Sequence, residues 1–177
     1  MPVFEIRIHS RGGQGGVTAA RLIALAAFYD GKQATATPFY GAERRGAPIV
    51  AFVRICDTPI RTCSQVKEPD LVVVLDPTLL PTVNVLKGLA PGGTVLLNSP
   101  HKVALDGFRT VTADLTGIAL VLDLVIAGSP VLDTSVLGVL AKIGVITLDS
   151  AKRAIAENFT DARNVAAAER AYQEVAA

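Results

Sequence analysis

The stretch that most limits what this chain can become is Ser10-Arg11-Gly12-Gly13-Gln14-Gly15-Gly16. An alternating apolar run precedes it (Val3, Phe4, Ile6, Ile8) and a long run of small and apolar residues, Val17 to Tyr29, follows it. That order predicts strand, glycine turn and helix. Glycine lets the backbone take positive φ and approach another group closely. A helix beginning there aims unpaired N–H groups and the positive end of its dipole at whatever lies above the turn, which suits phosphate or another anion.

The rest of the sequence extends this pattern. The first strand is expected over residues 1–9 and the first helix over 14–29, with Asp30-Gly31-Lys32 as its stop. A second alternating strand is expected at Gln33 to Pro38, next to the first. The loop from Phe39 to Pro48 is rich in glycine and charge. Ile49 to Ile55 and Pro59 to Ser64 read as two strands joined by a turn at Cys56-Asp57-Thr58-Pro59, an antiparallel hairpin. Leu71 to Leu75 and Thr94 to Asn98 read as strands buried on both faces, and Phe108 to Val111 as a shorter one. Thr82 to Leu89 is expected to be helical. A helix capped at Asp114 is expected to carry Leu115, Ile118, Leu122, Val125 and Ile126 on one face. Further helices are expected at 134–143, 148–159 and 161–175, with Gly138 marking a close approach. The expected fold class is therefore α/β: a three-layer, mainly parallel, Rossmann-like sheet with an inserted antiparallel hairpin and C-terminal helices, in one domain over 1–177.

Composition narrows the function. Half of the 177 residues are apolar and only 19% are charged, which suits tight helix–sheet packing and leaves room for surface buried against other subunits. A net charge of +1 argues for neither nucleic acid nor an anionic membrane as partner. The longest greasy run, Ile118 to Ala127, is interrupted by Asp123 and too short to span a bilayer. No leader pattern is read at the N-terminus, so a soluble, cytoplasmic protein is expected. Cys56 and Cys63 make neither a disulfide framework nor a four-ligand metal site. Each is expected to be a packed thiol on a strand and not a catalytic one.

Dinucleotide binding fits poorly. Read from Gly13, the G-x-G-x-x-G fingerprint loses its third glycine to Thr18, and Thr35-Ala36-Thr37-Pro38 offers no acid for a ribose. No Walker loop, Gly-x-Ser-x-Gly elbow or His-Glu-x-x-His sequence occurs. The loop bearing Tyr40, Gly41, Glu43, Arg44 and Arg45 remains. Its arginine forks match phosphate oxygens, although a solvated loop with Glu43 paired to an arginine fits equally. Arg11 is either a third cation at the same spot or a surface charge. Gln14 either reaches solvent or aims its amide at a ligand or a partner's backbone. Asn98, just past a strand end on the same rim, is expected to add an amide contact.

With both loops in view, the sequence resembles the gamma subunit, or gamma domain, of the 2-oxoacid:ferredoxin oxidoreductases, the pyruvate type most closely. The family pattern Gly-Arg-Gly-Gly-Gln-Gly corresponds to Ser10-Arg11-Gly12-Gly13-Gln14-Gly15. Its second hallmark corresponds to Tyr40-Gly41-Ala42-Glu43-Arg44-Arg45-Gly46-Ala47-Pro48. Ala51 to Ile55, Pro59-Ile60-Arg61, Glu68-Pro69-Asp70 and Asp76 to Leu80 match as well. Thr134 to Lys142 matches where the family usually reads Asn-Thr-x-Met-Leu-Gly. Ser10, Asp133 and Val136 depart from the usual glycine, asparagine and methionine.

The resemblance implies a share in oxidative decarboxylation of a 2-oxoacid, acyl transfer to coenzyme A and electron delivery to ferredoxin. It implies thiamine diphosphate and [4Fe-4S] clusters in partner subunits of alpha, beta and delta type, none held by this chain alone, and an isolated chain without activity. A homodimer of the isolated chain is compatible with it. A shared coenzyme A site would draw on Arg11, Gly12, Gly13, Gln14, Gly15, Tyr40, Gly41, Glu43, Arg44 and Arg45. The alternatives are a purely structural subunit and a free-standing dinucleotide-binding enzyme.

Overall fold

The computed structural model describes residues 2–39 and 45–176. In chain order its elements are β1 (Phe4–Arg11), α1 (Gly16–Tyr29), β2 (Gln33–Phe39), β3 (Pro48–Cys56), β4 (Leu71–Val74), β5 (Thr94–Asn98), β6 (Arg109–Ala113) and α2 (Leu115–Val121). They continue with β7 (Val125–Ile126), β8 (Ser129–Pro130), α3 (Ser135–Lys142), α4 (Leu148–Asn158) and α5 (Arg163–Glu174). Six strands form one sheet in the order β2-β3-β1-β4-β5-β6, and β7 pairs with β8 apart from it. Only β3 opposes its neighbours; β1, β4, β5 and β6 pair in parallel and β2 runs the same way.

The α/β class and the mainly parallel sheet agree with the sequence reading, but the hairpin lies elsewhere. β3 pairs with β2 on one side and β1 on the other, so no free edge remains for residues 59–64, which form no strand. The hairpin is β2–β3, and Arg45, Gly46 and Ala47 are the described residues of its connection. β1 and β2 are consequently not adjacent. Residues 82–89 form turns rather than a helix, as β-branched Thr82, Val83 and Val85 beside Asn84 and Gly88 make a poor helical sequence. α2 ends at Val121, five residues before Ile126. Asp123 takes φ 54°, its N–H bonds Leu120 O at 3.2 Å, and Leu124 N–H bonds Ala119 O at 2.8 Å. That closing turn terminates the helix and releases Val125 and Ile126 to form β7.

The two faces of the sheet are covered differently. Ile6, Ile8, Val53, Leu71, Val73 and Leu96 pack under the helices, every one of which contributes to that single core. On the other face Val72, Val74, Val95 and Leu97 are capped by Leu79, Val85 and Leu89, with Leu105 and Phe108 at the margin. The third layer is therefore made of turns and one short 3-10 helix, Pro77–Leu79. It covers the β4–β5 end of the sheet.

α3 and α5 make the tightest helix contact. A Cβ on Gly138 would lie 1.9 Å from the backbone oxygen of Ala168. Backbone cannot yield as a side chain does, so Gly138→Ala is expected to cost about 3 kcal/mol or more. A urea midpoint unchanged from wild type would refute that.

Candidate functional site: a glycine pocket at the carboxyl end of the first strand

The register of β1 with β3 sets the site. Arg11 pairs with Pro48, which brings the hairpin tip across the glycine turn. Gly12 N–H donates to Ala47 O at 2.9 Å and Gly46 N–H to Gly12 O at 3.1 Å. The two loops thus meet although their parent strands β1 and β2 are separated by β3. Gly13 and Gly15 carry φ of 93° and 88°, a conformation costly for any other residue. Gly16 has no room for a side chain, since a Cβ would stand 2.2 Å from Ser10 Oγ.

α1 begins at Gly16, two residues later than the sequence suggests, and has no side-chain cap and no acid in its first turn. Its leading N–H groups are therefore uncapped at the wall of a cavity of about 730 Å³. The glycine turn, Arg45, the β7–β8 hairpin, Asp133 and Phe159 enclose that cavity. An uncapped helix start with two arginines at its rim is an anion-receptive surface.

The expected site residues take distinct positions. Arg11, Gly12, Gly13, Gly15 and Arg45 line the cavity. Arg11 also acts as a clamp: its Nη1 donates to Gly46 O at 3.0 Å, Nε and Nη2 donate to Thr78 Oγ1, and Nε stands 3.3 Å from Asp76 Oδ2. Arg45 Nη2 donates to Ala127 O and, at 3.4 Å, to Ile126 O, bracing the β7–β8 hairpin. Gln14 turns inward. Its Nε2 donates to Asp76 Oδ2 at 2.9 Å and its Oε1 accepts from Arg11 N–H at 2.7 Å, so it holds the turn in shape.

Asn98 is buried away from the cavity, donating to Leu75 O and Thr116 Oγ1 and accepting from Thr116 N–H. Tyr40, Gly41, Glu43 and Arg44 lie outside the described residues. Burial opposes ionisation of Asp76, yet Thr78, Gln14 and Arg11 together hold its carboxyl below the ordinary value, so the clamp stays charged at neutral pH.

Asp133 is the residue that sequence reasoning undervalued. It is 4% exposed, its carboxylate packs against Gly15, and its Oδ1 has no hydrogen-bond partner among the described residues. Burial pushes its pKa up to about 6, against the opposing pull of the Thr134 and Asp133 backbone amides. The only sequence signal for it was the charge standing where the resemblance expects an amide. The β7–β8 wall carried a weaker signal, the Ala127-Gly128 pair, whose φ values of 48° and 81° are those of a two-residue hairpin turn.

Among the described residues no cluster of histidine, cysteine or acidic side chains suited to a metal occurs, and no helix is long and apolar enough to cross a membrane.

The family profile described as pyruvate ferredoxin/flavodoxin oxidoreductase matches residues 5–174. The chain belongs to that family. Among its relatives is the pyruvate synthase subunit PorC of Methanocaldococcus jannaschii, 48% identical over 177 residues, with 98% of this chain and 97% of that protein covered. Another is the pyruvate/ketoisovalerate oxidoreductases common subunit gamma of Thermococcus kodakarensis, 47% identical over 183 residues and covering 97% of each. The crystal structure of a pyruvate oxidoreductase subunit from Thermotoga maritima superposes with a TM-score of 0.82 at 36% identity, covering 98% of this chain and 97% of that one. The same fold recurs at 16% identity and a TM-score of 0.79 in 2-oxoglutarate:ferredoxin oxidoreductase from Magnetococcus marinus; the match spans 97% of this chain but 30% of that one. The chain is thus a gamma-type subunit of a 2-oxoacid:ferredoxin oxidoreductase, a family in which it forms one part of a larger enzyme.

Proposed function

We propose that the glycine pocket receives the phosphate groups of coenzyme A within an assembled oxidoreductase that acts on pyruvate or a related 2-oxoacid. In this reading thiamine diphosphate and iron–sulfur clusters reside in alpha-, beta- and delta-type partner subunits, and electrons leave through them to ferredoxin. The observation that carries the reading is the meeting of an uncapped helix start and an arginine-bearing hairpin tip on one cavity. Coenzyme A is rich in phosphate, and such a cavity offers what a phosphate requires: backbone N–H groups, a helix dipole and guanidinium donors. Support also comes from the Magnetococcus marinus enzyme, which shares the fold and whose structure holds coenzyme A and succinyl-CoA.

What this chain contributes follows from its own groups. The Gly12–Gly16 turn and the first N–H groups of α1 bind and orient an anion. Arg11, Gln14 and Asp76 keep that turn fixed. Arg45 supplies positive charge at the rim. Decarboxylation chemistry falls to the partners.

Arg45→Ala, introduced into the assembled enzyme, is expected to raise KM for coenzyme A about tenfold, equivalent to one charge-assisted contact, while the rate of 2-oxoacid decarboxylation holds. An unchanged KM removes the pocket from coenzyme A binding. A second reading, in which both loops only latch the chain to its partners, is favoured by Arg11, Gln14 and Arg45 already bonding protein groups. It predicts early dissociation on a sizing column with no change in KM.

A further inference from the structure

The helix-free face of the sheet holds a second polar centre, on the side opposite the glycine pocket. It lies where β1, β3 and β2 extend beyond the turns that cover β4 and β5. Arg7 and His9 of β1 sit at the base of a cavity of about 500 Å³, with Lys67 and Lys87 at its edge and Phe39 and Phe52 on its wall. Arg7 is 7% exposed and His9 5%.

Among the described residues Arg7 is a buried cation without a counter-charge. Its Nε donates to His9 Nε2 at 3.0 Å, and its Nη2 donates to the backbone oxygens of Val85 at 2.8 Å and Lys87 at 2.5 Å. None of these partners is acidic, and burial lowers its pKa. Arg54, on the same face, is also buried but has Glu5 Oε1 at 2.7 Å. Removing a charge from water without pairing it costs several kcal/mol, so Arg7 holds a site short of one negative group.

The neighbouring residues specify which group fits. Because His9 Nε2 accepts from Arg7, the proton of the neutral ring sits on Nδ1, giving a second donor with no partner among the described residues. Burial, then the charge of Arg7, pushes the His9 pKa down to about 4, so the ring contributes a donor and not a second charge. Arg7 Nη1 likewise has no described partner. Lys67 and Lys87 add positive charge at the mouth, and no acidic side chain lines the cavity among the described residues. The rest of the lining is apolar at Phe39, Val50, Phe52 and Val66 and neutral polar at Gln65 and Asn84, and Phe39 is 49% exposed. Donors and cations at the base of an aromatic-walled pocket make an anchor for one carboxylate carried on a polypeptide.

We infer that this cavity takes an aspartate or glutamate side chain of a partner subunit, seated on Arg7 and flanked by Lys67 and Lys87. The inference uses the chain's place in a multisubunit family but not the coenzyme A reading, as the two cavities lie on opposite faces of the sheet.

Carbodiimide treatment of the purified native assembly, followed by peptide mass spectrometry, tests it, because the reagent joins only amines and carboxylates already in contact. The expected product links Lys67 or Lys87 to an acidic residue of another subunit. The Lys67→Glu/Lys87→Glu variant changes only exposed side chains, and it is expected to weaken retention in the assembly about tenfold or more at moderate salt.

Three results would overturn the inference. One is acetylation of both lysines at equal rates in the assembly and in the isolated full chain. Another is a cross-link joining two copies of this chain. The third is protection of the lysines by millimolar phosphate or acetate alone with no link to a partner.

Discussion

Gly15→Ala is expected to lower stability by about 2–4 kcal/mol, combining left-handed backbone cost with overpacking. The new methyl would have to sit at φ 88° and 2.8 Å from Asp133 Cβ. For a chain of this length that corresponds to a fall of roughly 5–15 °C in Tm. The methyl would also press the Asp133 carboxylate away from the turn and narrow the pocket, so anion binding should fall with stability. Gly13→Ala supplies the control. Gly13 has a similar φ of 93° but nothing within 4 Å of its Cβ position, so only the backbone cost of about 1–2 kcal/mol applies. Equal losses in the two variants, measured by thermal melting, would show that contact with Asp133 plays no part.

Replacing Asp133 by asparagine should make the protein more stable at neutral pH and uncover a loss of stability in acid that the wild-type carboxyl offsets. The folded-state pKa of Asp133 is raised from 3.8 to about 6. The native state therefore holds this proton more tightly than the unfolded chain does. Stability falls as pH rises through the window from 3.8 to 6, and above it the full cost of burying the ionised group, about 1–3 kcal/mol, persists.

His9 does the reverse. Its pKa is lowered from 6.5 to about 4, so its contribution is complete above 6.5 and is lost as pH falls toward 4. Between pH 4 and 6 the two slopes have opposite sign and largely offset one another. The contributions of these two groups to wild-type stability should therefore nearly cancel there. Asp133→Asn leaves the His9 slope uncovered, about 1.4 kcal/mol for each pH unit. Urea denaturation at pH 4.5, 6 and 8 would decide the matter, since parallel profiles for the two proteins contradict the assignment. Loss of the carboxylate should also strengthen phosphate binding at pH 8, where an ionised Asp133 repels an anion beside Gly15.

Much of this protein was legible in order along the chain, because each such feature is encoded within a few consecutive residues. The glycine run between an apolar strand and a small-residue helix located β1, α1 and the pocket floor. Periodicity located α3, α4 and α5, and Gly138 was recognisable as a point of close approach. The motif from Tyr40 to Pro48 carried the family resemblance that residues 5–174 bear out.

Partnership between distant segments was not encoded locally. Which strand completes the hairpin with Ile49 to Ile55 depends on which edges of β3 remain free, and the sheet order leaves none. The end of α2 depended on Asp123 adopting a left-handed conformation, which the helical spacing of Val125 and Ile126 could not show. Gln14 and Asn98 carry the same amide group, but only folded neighbours decided that Asp76 and Arg11 engage one and Thr116 the other.

The sequence by itself thus determined the class of fold, the glycine pocket and the family, since backbone permissiveness and hydrophobic period act over short range. Tertiary structure alone decided what happens to charge. Among the described residues it left Asp133 with an unpartnered oxygen beside the pocket and Arg7 buried with no acid to meet it, because desolvation depends on every segment that closes over a group.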